Sequence, residues 1–245
     1  MTMEIYYGVD RKAFADVVQH PMISFRTMRK RKTPIVENGK EWFMDSGAFT
    51  YLKNEGKFPF TYGEYLRAVN KFNPTYYANM DWCCEETVLK STGLNVLQHI
   101  GNTVENGRQL IDFDRKRFVM VLQGWTPRDY ATCIDYCKDY DLITHTIGIG
   151  TICGRTNPKE VYEILKTIKY ELPDGCRIHC FGFSINLLKY KELFDRIDSI
   201  DTFAWCREYG LTKNGVVTER VDTLLNYKKK VDRIVKMNNF QSVMN

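Results

Sequence analysis

The chain has 245 residues, with 35 lysines and arginines against 30 aspartates and glutamates, which gives a formal charge of +5. Its 44% hydrophobic and 13% aromatic content excludes a disordered chain, and no window approaches the roughly 18 to 20 apolar residues that a membrane span needs. Eight cysteines in a chain long enough to bury a large core indicate reduced thiols and not a disulfide scaffold. We expect one soluble, unexported domain over residues 1–245.

Eight short apolar runs, rich in β-branched and aromatic residues, recur along the chain and predict eight strands. The runs are EIYYGV from Glu4, MISFRT from Met22, WFMDSGAF from Trp42, TYYANMD from Thr75, RFVMVLQG from Arg117, THTIGIGT from Thr144, RIHCFGFS from Arg177 and SIDTFAW from Ser199.

Stretches with helical spacing lie between these strands. TYGEYLRAVNKF, from Thr61, places apolar residues on one face, PRDYATCIDYCKD begins with Pro127, and NPKEVYEILKTIKYEL opens with Asn157 as a cap and Pro158 in the first turn. The longer connection from Glu85 to Asp112 predicts one helix and an extra loop. The alternation predicts a single minimal (β/α)8 TIM-like barrel, with an open doubly wound sheet as the alternative.

The polar residues at the strand ends are candidate site residues, because chemistry in such a barrel lies at the carboxyl ends of the strands. They are Asp45, Ser46, Asp81, Gln123, Gly148, Gly150, Gly182, Ser184 and Asp201. Carboxylates that share one mouth push one another's pKa values apart, so that one can act as a nucleophile while another transfers protons. Each aspartate alone could equally be a helix cap or a turn residue.

A basic cluster stands out between the second and third predicted strands. Its members are Arg26, Arg29, Lys30, Arg31 and Lys32. Because phosphates are neutralised by local lysine and arginine and not by the net charge, the cluster favours a polyanionic partner, with a solvated loop as the alternative.

The third predicted strand ends in the motif DSGAF, from Asp45 to Phe49. This motif resembles the Asp-Ser-Gly-Gly-Phe/Tyr motif of the tRNA-guanine transglycosylase superfamily, whose members are (β/α)8 barrels. Further segments are similar to family motifs in the same order, namely NMDWCC, VLQGW, TIGIGT, CFGFS and SIDTFAW. The resemblance covers residues 42 to 205 and departs at Ala48 and Ala204, where the family has glycine and aspartate.

The resemblance implies a role for each matched residue. Asp201 would attack the sugar C1′ and expel guanine, which leaves a covalent glycosyl-aspartate. Asp45 would protonate the leaving guanine and deprotonate the incoming base. The residues implied to bind the base are Ser46, Phe49, Asp81, Gln123, Gly148, Gly150, Phe181 and Gly182.

Within that set, the family pattern implies that Phe49 and Phe181 sandwich the base, as aromatic faces do with planar heterocycles. Asp81 would accept from the N–H and amino groups of the base, while Gln123 and a backbone N–H near Gly148 would address its carbonyl oxygen. Such a set of donors and acceptors complements a guanine-like edge.

The resemblance also bears on the nucleic acid. Family members that act on tRNA bind zinc through Cys-x-Cys-x-x-Cys and a later histidine, whereas Asp201 is followed here only by Cys206 and by no histidine. We therefore expect no metal, no zinc subdomain and no cofactor. The chain is most similar to the DpdA group, DNA-guanine transglycosylases that place 7-deazaguanine bases in DNA, often in phages.

DNA and a free 7-deazaguanine base are accordingly the expected partners, with no membrane and with homodimer assembly left open. The enzyme would be cytoplasmic, in the host cytoplasm if a phage encodes it. Besides the basic cluster, Arg155 and Arg207 are expected to contact the nucleic acid.

Three other functions compete with this one. They are the same chemistry on tRNA, a non-catalytic nucleic-acid-binding subunit, and an unrelated barrel hydrolase or lyase. Asp45 together with Asp201 argues against the subunit, and the pair Phe49 and Phe181 argues against the unrelated enzyme.

Overall fold

Eight parallel strands close into a barrel in which each strand pairs with the next along the chain and the last pairs with the first. A computed structural model describes the backbone of residues 3–208 and 217–243, and the side chains of residues 3–206 and 220–238. The strands are β1 (Glu4–Gly8), β2 (His20–Ser24), β3 (Phe43–Asp45), β4 (Tyr76–Ala78), β5 (Phe118–Leu122), β6 (Thr146–Ile149), β7 (Arg177–Cys180) and β8 (Ser199–Thr202). The predicted strands and the (β/α)8 barrel are confirmed.

Helices connect the strands on the outside of the barrel. They are α1 (Lys12–Ala15), α2 (Phe25–Met28), α3 (Ala48–Glu55), α4 (Tyr62–Phe72), α5 (Glu86–Thr92), α6 (Val96–Leu110), α7 (Pro127–Asp139), α8 (Pro158–Glu171), α9 (Lys191–Phe194), α10 (Trp205–Glu208) and α11 (Val217–Val243). The predicted cap of α8 is confirmed, since the Asn157 side chain accepts a hydrogen bond from the Lys159 N–H. None of the described helices is long and apolar enough to cross a membrane.

Two segments differ from the prediction. The connection after β4 holds two helices, because Gly93 ends α5 at a φ of +70° and Asn95 caps α6 together with Gln98. The run WFMDSGAF leaves the sheet at Asp45, and α3 begins directly after Gly47, whose φ is +78°. Phe49 therefore lies in the first turn of a helix and not on a strand.

Alternation along the strands separates an inner layer from the main core. Tyr6, Met22, Phe43, Ala78, Val119 and Val121 fill the barrel interior, with Tyr76 and Phe181 packed against them. The opposite strand faces, such as Ile178 and Ile200, pack against the surrounding helices. Because apolar side chains fill the interior, a ligand reaches this barrel through the mouth at the carboxyl ends of the strands. No disulfide joins the cysteines in the part of the chain that the structure describes.

Candidate active site

Asp45 closes β3 at the mouth and is held by the turn that follows it. The Gly47 N–H donates to Asp45 Oδ2 at 3.0 Å, and the Ser24 hydroxyl at the end of the neighbouring β2 also donates to this carboxylate. Glycine is required at position 47 because of its positive φ and because a Cβ there would lie 2.8 Å from Ser24 Oγ. Burial, and then repulsion from Asp201, raise the pKa of Asp45 to about 6. This carboxyl can therefore exchange a proton near neutral pH.

Asp201 lies on β8 and is anchored through one of its two oxygens. The Gly182 N–H donates to Asp201 Oδ1 at 2.7 Å, and His179 Nε2 lies 3.6 Å from the same oxygen. In the part of the chain that the structure describes, no hydrogen bond occupies Asp201 Oδ2. Gly182 was predicted to bind the base, but its N–H donates to the Asp201 carboxylate.

Asp81 follows β4 and is almost fully buried. The Ser46 hydroxyl donates to its Oδ1 at 3.3 Å, and Gln123 Nε2 donates to its Oδ2 at 2.5 Å. Burial, and then the charge of Asp45, raise the pKa of Asp81 to about 7. The structure therefore brings together four predicted site residues from the ends of β3, β4 and β5, namely Asp45, Ser46, Asp81 and Gln123.

Gln123 is fixed at both ends of its amide. Besides the bond to Asp81, its Oε1 accepts from the Thr151 hydroxyl at 2.5 Å, and Thr151 Oγ1 in turn accepts from the Cys84 N–H at 2.7 Å. Gly150 makes room for this arrangement, since a Cβ there would overlap the Gln123 amide. Thr151 has a φ of +52°, which is uncommon for a β-branched residue and marks a constrained turn after β6.

The two aromatic residues predicted to hold the base lie at different depths. Phe181 packs over β6, so that a Cβ on Gly148 would lie 2.5 Å from Phe181 Cε2. Phe49 is 43% exposed at the start of α3, with Lys53 Nζ 5.3 Å from its ring centre. One ring therefore lines the floor of the mouth and the other lies on its rim.

The basic cluster divides into exposed and engaged side chains. Arg26, Lys30 and Lys32 are exposed, whereas Arg29 donates to Glu64 Oε1 at 3.1 Å and to the Pro59 carbonyl at 2.7 Å. A groove runs between the segment after α2 and helix α4. Its lining residues are Arg29, Arg31, Glu64, Arg67, Ala68, Lys71 and Phe72. Four of these seven side chains are cationic, so the surface is positive beyond the predicted cluster.

Arg155 is not at the rim, which corrects the prediction that it contacts nucleic acid. Its side chain is only 7% exposed and donates to the carbonyls of Thr151 at 2.9 Å and Trp125 at 2.7 Å, and also to Glu160. Its guanidinium carbon lies 4.4 Å from the centre of the Trp125 ring. Arg155 joins the segments after β5 and β6 and is not available to a phosphate. The Arg207 side chain lies outside the described residues.

Four further residues belong to this region and were not predicted from the sequence. They are Ser24, Trp125, Thr151 and His179. The rule of polar strand ends, applied to the second strand as well, would have found Ser24, and alternation along RIHCF places His179 on the same inward face as Phe181. Among the described residues, no group of three or more His, Cys, Asp or Glu side chains could hold a metal ion.

Comparison with known proteins identifies the family of this chain. No curated protein matches the chain. The sequence model of the family described as DpdA, DeoxyPurine in DNA protein A, matches residues 1–227. Because that match covers nearly the whole chain, and because the site residues lie at the strand ends of a closed eight-stranded barrel, the protein belongs to the DpdA family.

Proposed function

We propose that this protein exchanges guanine in DNA for a 7-deazaguanine base through a covalent intermediate on Asp201. As a DpdA family member it has a role related to DNA-guanine transglycosylation. The observation that carries the proposed chemistry is the pair of carboxylates at the mouth. Asp201 has one anchored and one unoccupied oxygen among the described contacts, and Asp45 has a pKa raised to about 6 partly by the charge of Asp201.

In the first half-reaction, Asp201 Oδ2 forms a bond to C1′ while the C1′–N9 bond breaks. The electron pair leaves with guanine, and the protonated Asp45 supplies the proton that neutralises it. The transition state resembles an oxocarbenium ion, for which a carboxylate nucleophile and an acid/base carboxyl are sufficient, as in retaining glycosidases. A pKa of about 6 keeps a useful fraction of Asp45 protonated near neutral pH.

In the second half-reaction, the incoming base gives its N9 proton to the ionised Asp45. Its N9 then attacks C1′, the ester bond to Asp201 breaks, and the carboxylate regains its electron pair. Asp45 ends protonated and Asp201 ends ionised, so the enzyme is ready for another cycle. A target base in a duplex must leave the helix to reach the mouth, as in other enzymes that act on bases.

Asp81 and Gln123 are suited to read the edge of the base. An ionised Asp81 accepts hydrogen bonds only, as guanine's N1–H and 2-amino group require, while an amide can donate to O6. Thr151 and Ser46 support this assignment, because they orient Gln123 and Asp81 before any ligand enters. Such preorganisation reduces the entropy lost on binding.

The surface around α2 and α4 supports a DNA partner. The groove has an excess of positive charge, because four cationic side chains line it and Glu64 is the one carboxylate among its lining residues. A surface of this kind binds phosphates without regard to sequence. Trp125, in the loop after β5, is 45% exposed; the Arg155 guanidinium lies over one face of its ring, and the other face can stack on a neighbouring base.

The test is exchange of radiolabelled guanine into DNA and tRNA in parallel, with the Asp201→Asn variant as the control. We expect label in DNA alone, and no label with the variant. Label in tRNA alone would establish the tRNA alternative. DNA binding without label in either polymer would indicate a binding subunit, and release of free guanine without incorporation would indicate a hydrolase.

A further inference from the structure

A buried imidazole lies beneath the Asp201 carboxylate. His179 is 0% exposed, and its ring packs among the rings of Tyr6, Phe43 and Phe181 at centroid distances of 5.6, 5.0 and 4.6 Å. Among the described residues, its Nε2 has no hydrogen-bond partner within normal distance and lies 3.6 Å from Asp201 Oδ1. A buried polar atom without a partner is destabilising, so a phenyl ring would suit packing alone better.

The other nitrogen of this ring is held by Ser199. Ser199 Oγ lies 2.9 Å from His179 Nδ1, and the two residues are register partners on β8 and β7. When the hydroxyl donates to Nδ1, the hydrogen of a neutral imidazole is on Nε2. In that tautomer an N–H is directed toward Asp201, whose ionised carboxylate can only accept, and the Ser199 hydroxyl takes the donor role that Nδ1 then requires.

We propose that His179 is a positioning residue for the nucleophile, which donates from Nε2 to Asp201 Oδ1 during the reaction. This inference rests on the proposed function, because it takes Asp201 as the attacking residue. With the Gly182 N–H, His179 would provide two donors on the same oxygen. Both donors then hold Oδ1, and Oδ2 is left as the oxygen that bonds to C1′.

The two donors act in both half-reactions. When Oδ2 bonds to C1′, Oδ1 becomes the carbonyl oxygen of the glycosyl ester and continues to accept from Gly182 and His179. When the ester breaks, negative charge returns to the carboxylate, and donors to Oδ1 stabilise the departing group. Loss of His179 Nε2 should therefore slow breakdown of the intermediate by removing this charge stabilisation, and slow its formation by leaving Oδ2 less well oriented toward C1′, with little change in the affinity for DNA.

The test compares His179→Phe, His179→Gln and Ser199→Ala with the wild-type protein. The phenyl ring keeps the packing and removes the donor, and the Gln side chain keeps an N–H donor of similar reach. Ser199→Ala keeps the imidazole but removes the hydroxyl that holds its Nδ1. Val119→Ala serves as the matched control, because it alters the same inner layer on β5, three strands away from Asp201 on β8. Thermal unfolding of each variant shows which of them fold.

The readouts are the single-turnover rate of covalent adduct formation with DNA, the rate at which added base resolves the adduct, and the Kd for DNA. We expect both rates to fall roughly 10- to 100-fold in His179→Phe, as for loss of a hydrogen bond to a charged group, with partial recovery in His179→Gln and an unchanged Kd. Ser199→Ala should lie between His179→Phe and the wild-type protein. Val119→Ala should keep the wild-type rates.

Wild-type adduct rates in His179→Phe, or an equal loss in Val119→Ala, would overturn the positioning role. If His179→Phe fails to fold, His179→Leu takes its place as the variant without a donor, and wild-type rates in Ser199→Ala would then also count against the role. A wild-type protein that forms no adduct would instead overturn the proposed function, and the inference with it. The wild-type reaction therefore separates the two failures.

Discussion

The two sides of the mouth differ in how their hydrogen-bonding capacity is used. On one side, which we call the bonded side, Asp81, Gln123 and Thr151 satisfy one another through 2.5 Å hydrogen bonds. On the other, which we call the open side, Asp201 Oδ2 and His179 Nε2 have no hydrogen bond in the described part of the chain. The bonded network fixes the orientation of the binding edge, whereas the open side leaves one oxygen for the bond to C1′ and one donor to hold the other oxygen.

Each side has a buried carboxyl group, and the groups that surround the two carboxyls differ. Burial raises the pKa of both Asp45 and Asp81, but Asp45 faces the charge of Asp201, while Asp81 faces Asp45 and the Gln123 amide. We therefore expect changes on the open side to alter rates, and changes on the bonded side to alter base affinity and stability.

The largest effect is expected from Asp45→Asn, because Asp45 faces Asp201 of the open side. Because the amide cannot transfer the proton that the leaving guanine needs, the rate of base exchange should fall by roughly 10²- to 10⁴-fold. The Kd for DNA should stay close to that of the wild-type protein. The measurement is single-turnover exchange together with a DNA-binding titration. An unchanged exchange rate at saturating base, with a raised KM for the base, would show that Asp45 binds the base and does not transfer the proton.

Gln123→Leu should act on the bonded side. It removes the donor to Asp81 and leaves the Thr151 hydroxyl with only its longer bond to Glu85 Oε2 at 3.3 Å, so base recognition should weaken by roughly 10- to 100-fold in KM. The rate of the covalent step should change much less. Steady-state kinetics with guanine and hypoxanthine as incoming bases would measure this, and an effect confined to kcat would contradict it.

The pH dependence of stability should report on Asp81. Its pKa is about 7 in the folded protein, above the ordinary aspartate value, so Asp81 ionises first in the unfolded chain as the pH rises. Asp81 therefore costs no stability below about pH 4, and it lowers the free energy of unfolding progressively as the pH rises through 7. Asp81→Asn removes this loss and should stabilise the protein by on the order of 2 kcal/mol at pH 8 and negligibly at pH 4. Thermal unfolding at both pH values provides the measurement, and a pH-independent difference would show that burial does not act through ionisation.

The smallest effect is expected outside both sides of the mouth. Changing Arg29, Lys30, Arg31 and Lys32 to glutamine should weaken DNA binding several-fold and reduce the slope of its salt dependence by about 0.9 for each phosphate that the variant no longer neutralises. Arg155→Gln should leave the salt dependence unchanged, because Arg155 is buried against Trp125. Binding titrations between low and moderate salt distinguish the two variants. An unchanged salt slope in the four-residue variant would mean that the cluster is merely solvated.

Much of the fold could be predicted because the strands have a strong local signal. The eight apolar runs are short and separated by capped helices, and parallel strands place their ends together, so Asp45, Asp81, Gln123 and Asp201 could be assigned to one mouth from the sequence. The helix that begins after Asn95 could not be separated from a loop, because a glycine and an asparagine two residues apart, Gly93 and Asn95, are equally typical of a loop.

Side-chain partners were harder to predict, because they depend on contacts between distant segments. Arg155 follows a strand end, as a residue on the rim of the mouth would. Its side chain is nevertheless buried, because it donates hydrogen bonds to the carbonyls of Trp125 and Thr151. Gly182 belongs to a matched motif, yet its N–H is used by Asp201 from the next strand. Alternation places His179 on the inner face, but its relation to Asp201 and Ser199 depends on the register between β7 and β8.

The central claim is that Asp201 carries the covalent intermediate. The most direct measurement is peptide mapping by mass spectrometry of the protein–DNA adduct, trapped by denaturation before the incoming base is added. We expect the sugar to be attached to the peptide that contains Asp201, and no adduct with Asp201→Asn. Attachment at Asp45 or Asp81, or base exchange that continues in Asp201→Asn, would contradict the claim.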